Sequence, residues 1–313
     1  MTRCVLLIAS QTDAGFNRRV KFRKIALVGV GLLGGSLALA IRERKLAYTV
    51  QGYVRRETSV PECEQVGLSN FATLILFDAV RDADLVILCT PLAQLRELTV
   101  RMAPALKPDA IVTDVGSVKG SVVAELESLI AKAGAHFIGA HPMAGGEKMG
   151  VLAARSDLFT NAVCVLTPTG KTNTSALLQL ERFWRALETR LLTLTPQLHD
   201  ELVARCSHLP HAVAAELANY VLDPGHPDEQ PQLCANGFRD TTRIASGSPE
   251  MWRDIALANR EQLARALGVF IGDLQKLQSA IAAGDTQAIE KFFTTAKERR
   301  DAWSAQAASP SPE

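Results

Sequence analysis

The sequence has no excess of charge of either sign, and this limits the partners it can have. Of its 313 residues, 34 are Lys or Arg and 33 are Asp or Glu, so the formal net charge is +1. Proteins that bind nucleic acids or anionic membrane surfaces carry basic regions instead. The composition therefore predicts neither nucleic acid nor a membrane as a partner.

Paired cysteines and long hydrophobic runs are also lacking. The six cysteines form no C-x-x-C pair, so we expect reduced thiols, no metal site and a cytoplasmic location. The apolar run Cys4–Ala9 is far shorter than the roughly 20 residues of a membrane span. Basic residues follow it where a signal peptide would have its cleavage site. The cysteines are Cys4, Cys63, Cys89, Cys164, Cys206 and Cys234.

The glycines give the first indication of a function. The apolar run Lys24–Val28 is followed by a G-x-G-x-x-G loop, Gly29–Gly34, and then by a predicted helix, Leu37–Arg44. Strand, glycine turn and helix in this order are typical of a dinucleotide-binding site. The first glycine makes the tight turn, the second lets the backbone approach the pyrophosphate, and the third lets the helix pack against the strand. We assign Gly29, Gly31, Leu32, Leu33 and Gly34 to the cofactor.

Strands and helices alternate after this loop. Helices are predicted at Leu92–Met102 and Val118–Ala133, between apolar strand segments. Such alternation predicts a doubly wound parallel sheet, in which ligands bind beyond the carboxyl ends of the strands. Thr90 and Pro91 follow one of those ends and are predicted to contact the cofactor. The strands are predicted at Tyr48–Val54, Leu85–Cys89, Ala110–Asp114, Phe137–Gly139 and Ala162–Thr167.

The pattern becomes helical toward the C-terminus. Apolar residues from Trp252 to Leu277 recur at spacings of three and four. This predicts one long amphipathic helix whose apolar stripe enters the core or a subunit interface. The predicted fold class is α/β, a Rossmann-type doubly wound parallel sheet followed by an all-α dimerisation domain. The predicted segments are an N-terminal extension at 1–23, a dinucleotide-binding domain at 24–195, a helical domain at 196–303 and a disordered tail at 304–313.

Six motifs at strand ends and in the helical part occur in one order: Gly29–Ser36, Asp114–Lys119, Gly139–Glu147, Ser207–His211, Gly237–Ala245 and Pro249–Ile255. Together they resemble the prephenate/arogenate dehydrogenase family of tyrosine biosynthesis, from about Lys24 to about Trp303. The resemblance implies oxidation of a cyclohexadienol, prephenate or arogenate, with NAD or NADP. It also implies loss of the ring carboxylate as CO2 and a homodimer formed through the helical domain.

The resemblance implies two catalytic residues. Removal of a hydride from a carbinol carbon requires a group that takes the hydroxyl proton, and a neutral imidazole suits this near pH 7. His141 follows a predicted strand and matches the family's catalytic histidine. Ser117 matches the serine that hydrogen-bonds this histidine, with an N-cap for the helix Val118–Ala133 as the alternative. Lys119 is interpreted as a solvated or cofactor-side charge outside the catalytic set.

The same resemblance assigns residues to the substrate, which carries two carboxylates. Arg243 matches the arginine that binds the ring carboxylate, for which a guanidinium has the right shape. Its alternative is an i,i+3 partner of Asp240. His211 matches a histidine near the substrate side chain. Trp252 matches a residue that reaches the neighbouring subunit's site, and Glu147 and Asp240 match an ionic gate.

The end of the second predicted strand departs from the usual pattern of NAD enzymes. They place Asp or Glu there to bind the adenosine ribose, but this sequence has Val54. Arg55 and Arg56 follow and have the charge to bind a 2′-phosphate, while Glu57 remains able to reach a ribose. We favour NADP as the cofactor, with NAD as the alternative.

Two other functions are compatible with a Rossmann domain joined to a helical one. A β-hydroxyacid-type dehydrogenase has this arrangement, but the motifs Ser207–His211 and Gly237–Ala245 speak against it. A dinucleotide-sensing module without catalysis would not need His141, Ser117 and Arg243 together. The sequence leaves the choice between prephenate and arogenate open.

Overall fold

The computed structural model describes residues 21–146 and 148–308. Its contacts divide the chain into unit 1, Met1–Asp200 with Gly247–Asp254, and unit 2, Glu201–Ser246 with Ile255–Glu313. Most of the predicted N-terminal extension, residues 1–20, lies outside the described residues, as do residues 309–313. Within the described ranges, no helix is both long and apolar enough to cross a membrane.

Unit 1 is built on one eight-stranded sheet with the strand order β3-β2-β1-β4-β5-β6-β7-β8. The strands are β1 (Phe22–Val28), β2 (Ala47–Tyr53), β3 (Ala72–Thr73), β4 (Leu85–Leu88), β5 (Ile111–Asp114), β6 (His136–Pro142), β7 (Val163–Thr167) and β8 (Arg190–Thr193). All neighbours are parallel except β6 and β7, which pair antiparallel. The predicted doubly wound sheet is confirmed, with this one antiparallel pair added. The edge strands β3 and β8 were not predicted from the sequence, because neither contains a run of buried apolar residues.

Helices cover both faces of this sheet. They are α1 (Leu32–Glu43), α2 (Ser59–Gln65), α3 (Leu76–Val80), α4 (Leu92–Met102), α5 (Gly120–Lys132), α6 (Thr174–Ala186) and α7 (Pro196–Val203), which continues into unit 2. Successive residues of β1 point to opposite faces. Ile25 and Leu27 enter one apolar cluster, whereas Ala26 and Val28 enter the other. The central strands are therefore buried on both sides, as parallel sheets require.

Unit 2 is helical, as predicted, but its longest element differs from the prediction. It contains α8 (Leu209–Val221), α9 (Asn236–Thr242), the end of α10 (Pro249–Ala258), α11 (Arg260–Ala283) and α12 (Thr286–Ala308). The single long helix predicted from Trp252 to Leu277 is wrong, because the chain leaves helical geometry at Asn259, with φ −115° and ψ 31°. Asn259 is buried, and its side-chain amide lies 3.3 Å from Nδ1 of His208. An apolar repeat continues across such a break, so periodicity alone does not reveal it.

The C-terminal end also differs from the prediction. The disordered tail was predicted from residue 304, but α12 continues to Ala308. The prediction is therefore wrong for residues 304–308. Alanine has the highest intrinsic helix propensity, so an Ala-rich segment after a helix extends it readily.

Candidate active site

The glycine loop joins β1 to α1 and has the geometry of a phosphate-binding turn. Gly29 has φ +98°, a backbone conformation that residues other than glycine rarely adopt. A Cβ atom at this position would lie 2.6 Å from Cγ2 of Thr90. A side chain at Gly34 would collide with the carbonyl oxygen of Gly29, so the helix packs closely on the turn. Around Gly31 a side chain would meet no protein atom within 4 Å. This open position at the N-terminus of α1 is where an anion is stabilised by helix N–H groups.

Thr90 and Pro91 lie beside this loop, at the carboxyl end of β4. The hydroxyl oxygen of Thr90 is buried and has no hydrogen-bond partner among the described residues. Pro91 is exposed and precedes the first residue of α4. An orphaned buried hydroxyl next to an open glycine cradle fits a polar ligand such as a dinucleotide. The positions of Leu32 and Leu33, in the first turn of α1 and half-buried, agree with the same site.

The adenosine end of such a cofactor would meet the end of β2. Tyr53 pairs with Val28 in the sheet, and its carbonyl accepts a hydrogen bond from the Gly29 N–H at 3.1 Å. Val54 is buried, so the position that usually carries an acid is occupied by a core residue. Arg55 and Arg56 follow, and both are exposed. Two guanidinium groups are therefore available beside the glycine loop.

Lys119 was predicted to be a solvated or cofactor-side charge, and the first of these alternatives is wrong because the side chain is buried. Its side chain is completely buried and forms an ion pair with the equally buried Asp114 at the end of β5. Asp114 also accepts hydrogen bonds from the N–H groups of Gly116 and Ala140, which ties the β5 loop to β6. Burial lowers the pKa of Lys119, and the neighbouring carboxylates of Asp114 and Asp200 oppose this shift. The lysine stabilises the loop that carries Ser117.

Ser117 lies in that loop, half-buried, three residues before α5 begins at Gly120. The alternative role of Ser117 as the helix N-cap is wrong, because the cap residue is Lys119 and its own side chain makes no cap hydrogen bond. The N-terminal N–H groups of α5 are bound instead by Asp200, which is distant in sequence. Oδ1 of Asp200 accepts from the Lys119 N–H at 2.7 Å, and Oδ2 accepts from the Gly120 N–H at 2.8 Å. The hydroxyl group of Ser117 therefore does not cap α5.

His141 is the penultimate residue of β6, at the carboxyl end of the sheet, and is only 7% exposed. Its Nδ1 lies 2.8 Å from Nε2 of His199, and the two rings meet edge to face. Nδ1 of His199 lies 2.8 Å from Oδ1 of Asp200. His199 is completely buried. The structure thus places His141 at the end of a buried chain of two imidazoles and one carboxylate.

His199 and Asp200 were missed by the sequence analysis. His141 and His199 are 58 residues apart, and no spacing rule connects them. The adjacent His-Asp pair in the middle of α7 was the one available signal, since a carboxylate beside an imidazole is a common orienting arrangement. Histidine and aspartate are also frequent on exposed helix surfaces, so this signal has little specificity without the fold.

The residues assigned to the substrate lie in both units. His211 is on α8, half-buried, and its Nδ1 donates a hydrogen bond to the Ser207 carbonyl at 3.0 Å. Arg243 begins a short 3-10 turn that packs against α8, so unit 2 brings the elements carrying these two residues together. Asp240 precedes this turn on α9 and is exposed, as is Arg243. Trp252 is half-buried on the part of α10 that belongs to unit 1. Glu147 lies outside the described residues.

The described cysteines add no reactive group to this site. All five, Cys63, Cys89, Cys164, Cys206 and Cys234, are free. Burial raises the pKa of the Cys89 and Cys164 thiols, so both remain protonated near neutral pH. Within residues 21–146 and 148–308, no three His, Cys, Asp or Glu side chains are grouped to hold a metal ion.

Comparison with known proteins gives matches over both parts of the chain. Residues 37–193 match the nucleotide-binding domain of prephenate dehydrogenase, and residues 195–297 match its dimerization domain. The cyclohexadienyl dehydrogenase of Zymomonas mobilis is 36% identical over 282 residues, which cover 89% of this chain and 95% of that protein. The prephenate dehydrogenase of A. aeolicus, solved with hydroxyphenyl propionate and NAD+, is 33% identical with a TM-score of 0.83, covering 89% and 97%. The arogenate dehydrogenase of Synechocystis is 32% identical with a TM-score of 0.76, covering 90% and 99%.

The glycine loop generates a paired prediction. Gly31→Ala fills the space left for the pyrophosphate without touching protein atoms, so we expect dinucleotide affinity to fall at least about tenfold with little change in thermal unfolding. Gly34→Ala overpacks the turn, and we expect a loss of about 1–3 kcal/mol in the free energy of unfolding. Denaturation curves and cofactor titrations of both variants measure this. Wild-type affinity in Gly31→Ala would show that the pyrophosphate does not lie against this loop.

Proposed function

Because this chain belongs to the prephenate dehydrogenase family, we propose that it oxidises prephenate, arogenate or both, with loss of the ring carboxylate as CO2. It is an NAD(P)-dependent dehydrogenase of tyrosine biosynthesis, and membership of this family excludes the β-hydroxyacid and non-catalytic alternatives. The observation that carries the proposal is the buried imidazole of His141 at the same sheet edge as the glycine loop. An imidazole there can take a hydroxyl proton beside a bound nicotinamide.

The proposed chemistry divides between the cofactor and the chain. When bound, the dinucleotide accepts the hydride from the carbinol carbon. His141 accepts the hydroxyl proton, so that the electron pair of the O–H bond forms the new carbonyl. Ser117 is proposed to hydrogen-bond the hydroxyl and the histidine. The new ketone is conjugated with the ring and accepts the electrons left by the departing CO2, so no separate base for decarboxylation is needed.

We propose that the preferred cofactor is NADP. The support is electrostatic: Arg55 and Arg56 are both exposed directly after β2, and the position that commonly carries an acid is the buried Val54. A guanidinium binds a phosphate through paired, charge-assisted hydrogen bonds. The absence of an acid at position 54 also removes the repulsion that a 2′-phosphate would meet.

We propose that Arg243 binds the ring carboxylate and that His211 lies near the substrate side chain. Support comes from the exposure of the Arg243 guanidinium and from the packing of its turn against the helix that carries His211. Trp252, Glu147 and Asp240 keep their family-based assignments as the subunit-crossing residue and the ionic gate. The homodimer is proposed to form through unit 2, where apolar residues of α11 are exposed in the single chain. These are Val269, Ile271, Leu274 and Ile281.

The base is tested with His141→Asn, which retains polarity but cannot accept the proton near pH 7. We expect turnover to fall by roughly 10²–10⁴-fold with little change in cofactor affinity. In the wild type, turnover should decline at acid pH, because a protonated imidazole is not a base. His136→Asn, at the other end of β6, is the matched control and should behave as wild type. Near-normal turnover in His141→Asn would place the base elsewhere.

Cofactor preference is tested by replacing both Arg55 and Arg56 with Ala. Loss of charge-assisted contacts to the 2′-phosphate should weaken NADP by on the order of 1.5–3 kcal/mol and leave NAD almost unchanged. The double variant Arg96→Ala and Arg101→Ala, which removes the same charge from exposed positions on α4, controls for general electrostatics. Michaelis constants for both cofactors give the answer. A wild-type preference for NAD would contradict the proposal.

The carboxylate contact is tested with Arg243→Ala. Both candidate substrates keep the ring carboxylate, so the Michaelis constant for each should rise roughly 10–100-fold while turnover changes only a few-fold. Arg239→Ala, another exposed arginine one helical turn earlier, is the control. Kinetics with prephenate and with arogenate also decide which one is preferred. A fall in turnover at unchanged Michaelis constant would make Arg243 a catalytic or structural group instead.

A further inference from the structure

We propose that His199 and Asp200 are positioning residues that hold His141 in one tautomer, with the proton on Nδ1 and the lone pair on Nε2. The inference rests on the proposed role of His141 as the base and names the atom that takes up the substrate proton. It follows from the order of donors and acceptors along the buried chain from Asp200 to His141.

The first step concerns Asp200, whose carboxylate accepts hydrogen bonds from two backbone N–H groups. Oδ1 accepts from the Lys119 N–H and Oδ2 from the Gly120 N–H, and a backbone N–H is always a donor. A carboxylate that binds backbone N–H groups at the N-terminus of a helix acts there as an acceptor. The third contact of Asp200, at 2.8 Å from Nδ1 of His199, is therefore made by an N–H of the imidazole.

The second step applies the same donor and acceptor reasoning to the contact between His199 and His141. A neutral His199 with its proton on Nδ1 has a lone pair on Nε2. The 2.8 Å contact between His199 Nε2 and His141 Nδ1 then requires the proton to lie on His141 Nδ1. Neutral His141 consequently has its lone pair on Nε2, the ring atom that faces away from His199. Asp200 thus decides, through one intervening ring, which nitrogen of His141 is basic.

The arrangement is also compatible with the product of proton transfer. When the substrate O–H bond breaks, a new N–H bond forms at His141 Nε2, and the ring becomes an imidazolium with both nitrogens protonated. Its Nδ1–H still donates to His199 Nε2, so this hydrogen bond does not have to be rearranged. The negative charge of Asp200 stabilises the imidazolium across His199.

Two other titratable groups among the described residues lie near this chain. Lys119, at the start of α5, faces Asp200 but is paired with Asp114 of β5. Cys164 of β7 lies beside the backbone of His141, and burial raises the pKa of its thiol, so it stays neutral. Asp200 remains the carboxylate in hydrogen-bond contact with His199.

The same carboxylate also connects the two proposed catalytic residues. Its bonds to the Lys119 and Gly120 N–H groups hold the loop just after Ser117, while its bond to His199 orients His141. A change at position 200 should therefore alter the pH behaviour of the base, which a purely structural cap would leave unchanged.

The direct test is nitrogen NMR of the full-length protein with 15N-labelled histidine and bound dinucleotide, with the His141 signals identified by His141→Asn. At neutral pH we expect His141 with its proton on Nδ1 in the wild type. A proton on Nε2 of His141 would overturn the inference, even if the enzyme is active on prephenate. The measurement does not depend on turnover, so it also stands if the proposed substrates are wrong.

The kinetic test uses Asp200→Asn, which keeps the shape but removes the charge. An amide can donate to His199 Nδ1 and so reverse the tautomers of both rings, and we expect turnover to fall by about 10²-fold or more. The remaining activity should persist to lower pH than in the wild type, because the anion that stabilised the imidazolium is gone. The Michaelis constant for the dinucleotide should change little.

Two further variants separate this role from a structural one. Asn173→Ala removes the side-chain cap of α6, where Asn173 accepts from the Ala176 N–H at 3.0 Å, and should lower stability without moving the pH profile. His199→Leu removes the acceptor for His141 Nδ1–H and should reproduce the loss of turnover seen in Asp200→Asn. If Asp200→Asn loses stability but keeps the wild-type turnover and pH profile, Asp200 is only a helix cap and the inference is wrong.

Discussion

A buried carboxylate requires hydrogen-bond donors, and the contacts that supply them to Asp200 fix the arrangement of the proposed catalytic residues in unit 1. Its two oxygens bind the N-terminal N–H groups of α5 and the Nδ1 of His199. Removal of these donors would leave a buried carboxylate with fewer hydrogen bonds in a low-dielectric setting, which is costly. The hydrogen bonding of Asp200 therefore holds in place both the loop after Ser117 and the imidazole of His199 beside His141.

The buried ion pair of Lys119 and Asp114 has the same need for hydrogen-bond partners, and it lies at the centre of the sheet. Asp114 receives the lysine and two backbone N–H groups, one from its own loop and one from β6. Charges enclosed in this way are weak contributors to stability but strong constraints on geometry, since few other arrangements satisfy all donors and acceptors. The ends of β5 and β6, which carry Ser117 and His141, are thereby fixed relative to each other.

The buried chain from Asp200 to His141 in unit 1 contrasts with the open character of the other candidate functional surfaces. The space around Gly31 and the exposed guanidinium groups of Arg55 and Arg56 are suited to a ligand that arrives from solution. The exposed apolar side chains of α11 in unit 2 are suited to another protein surface, in agreement with the match to a dimerization domain. The proposed base, His141, is buried and hydrogen-bonded, whereas the residues proposed to recognise a 2′-phosphate or a second subunit are exposed.

The sequence by itself determined the features that depend on neighbouring residues. The glycine loop, the alternation of strands and helices, and the helical character of the C-terminal part follow from local patterns of backbone freedom and side-chain period, and they were predicted correctly. Ser117, His141 and Arg243 could be named only because the motifs resemble a family. Only the tertiary structure shows features that depend on residues distant in sequence. Lys119 is buried, the helix is broken at Asn259, and Asp200 rather than Ser117 caps α5. His199 meets His141 across 58 residues because the fold brings α7 to the end of β6, and such a contact is a property of the fold, not of any segment.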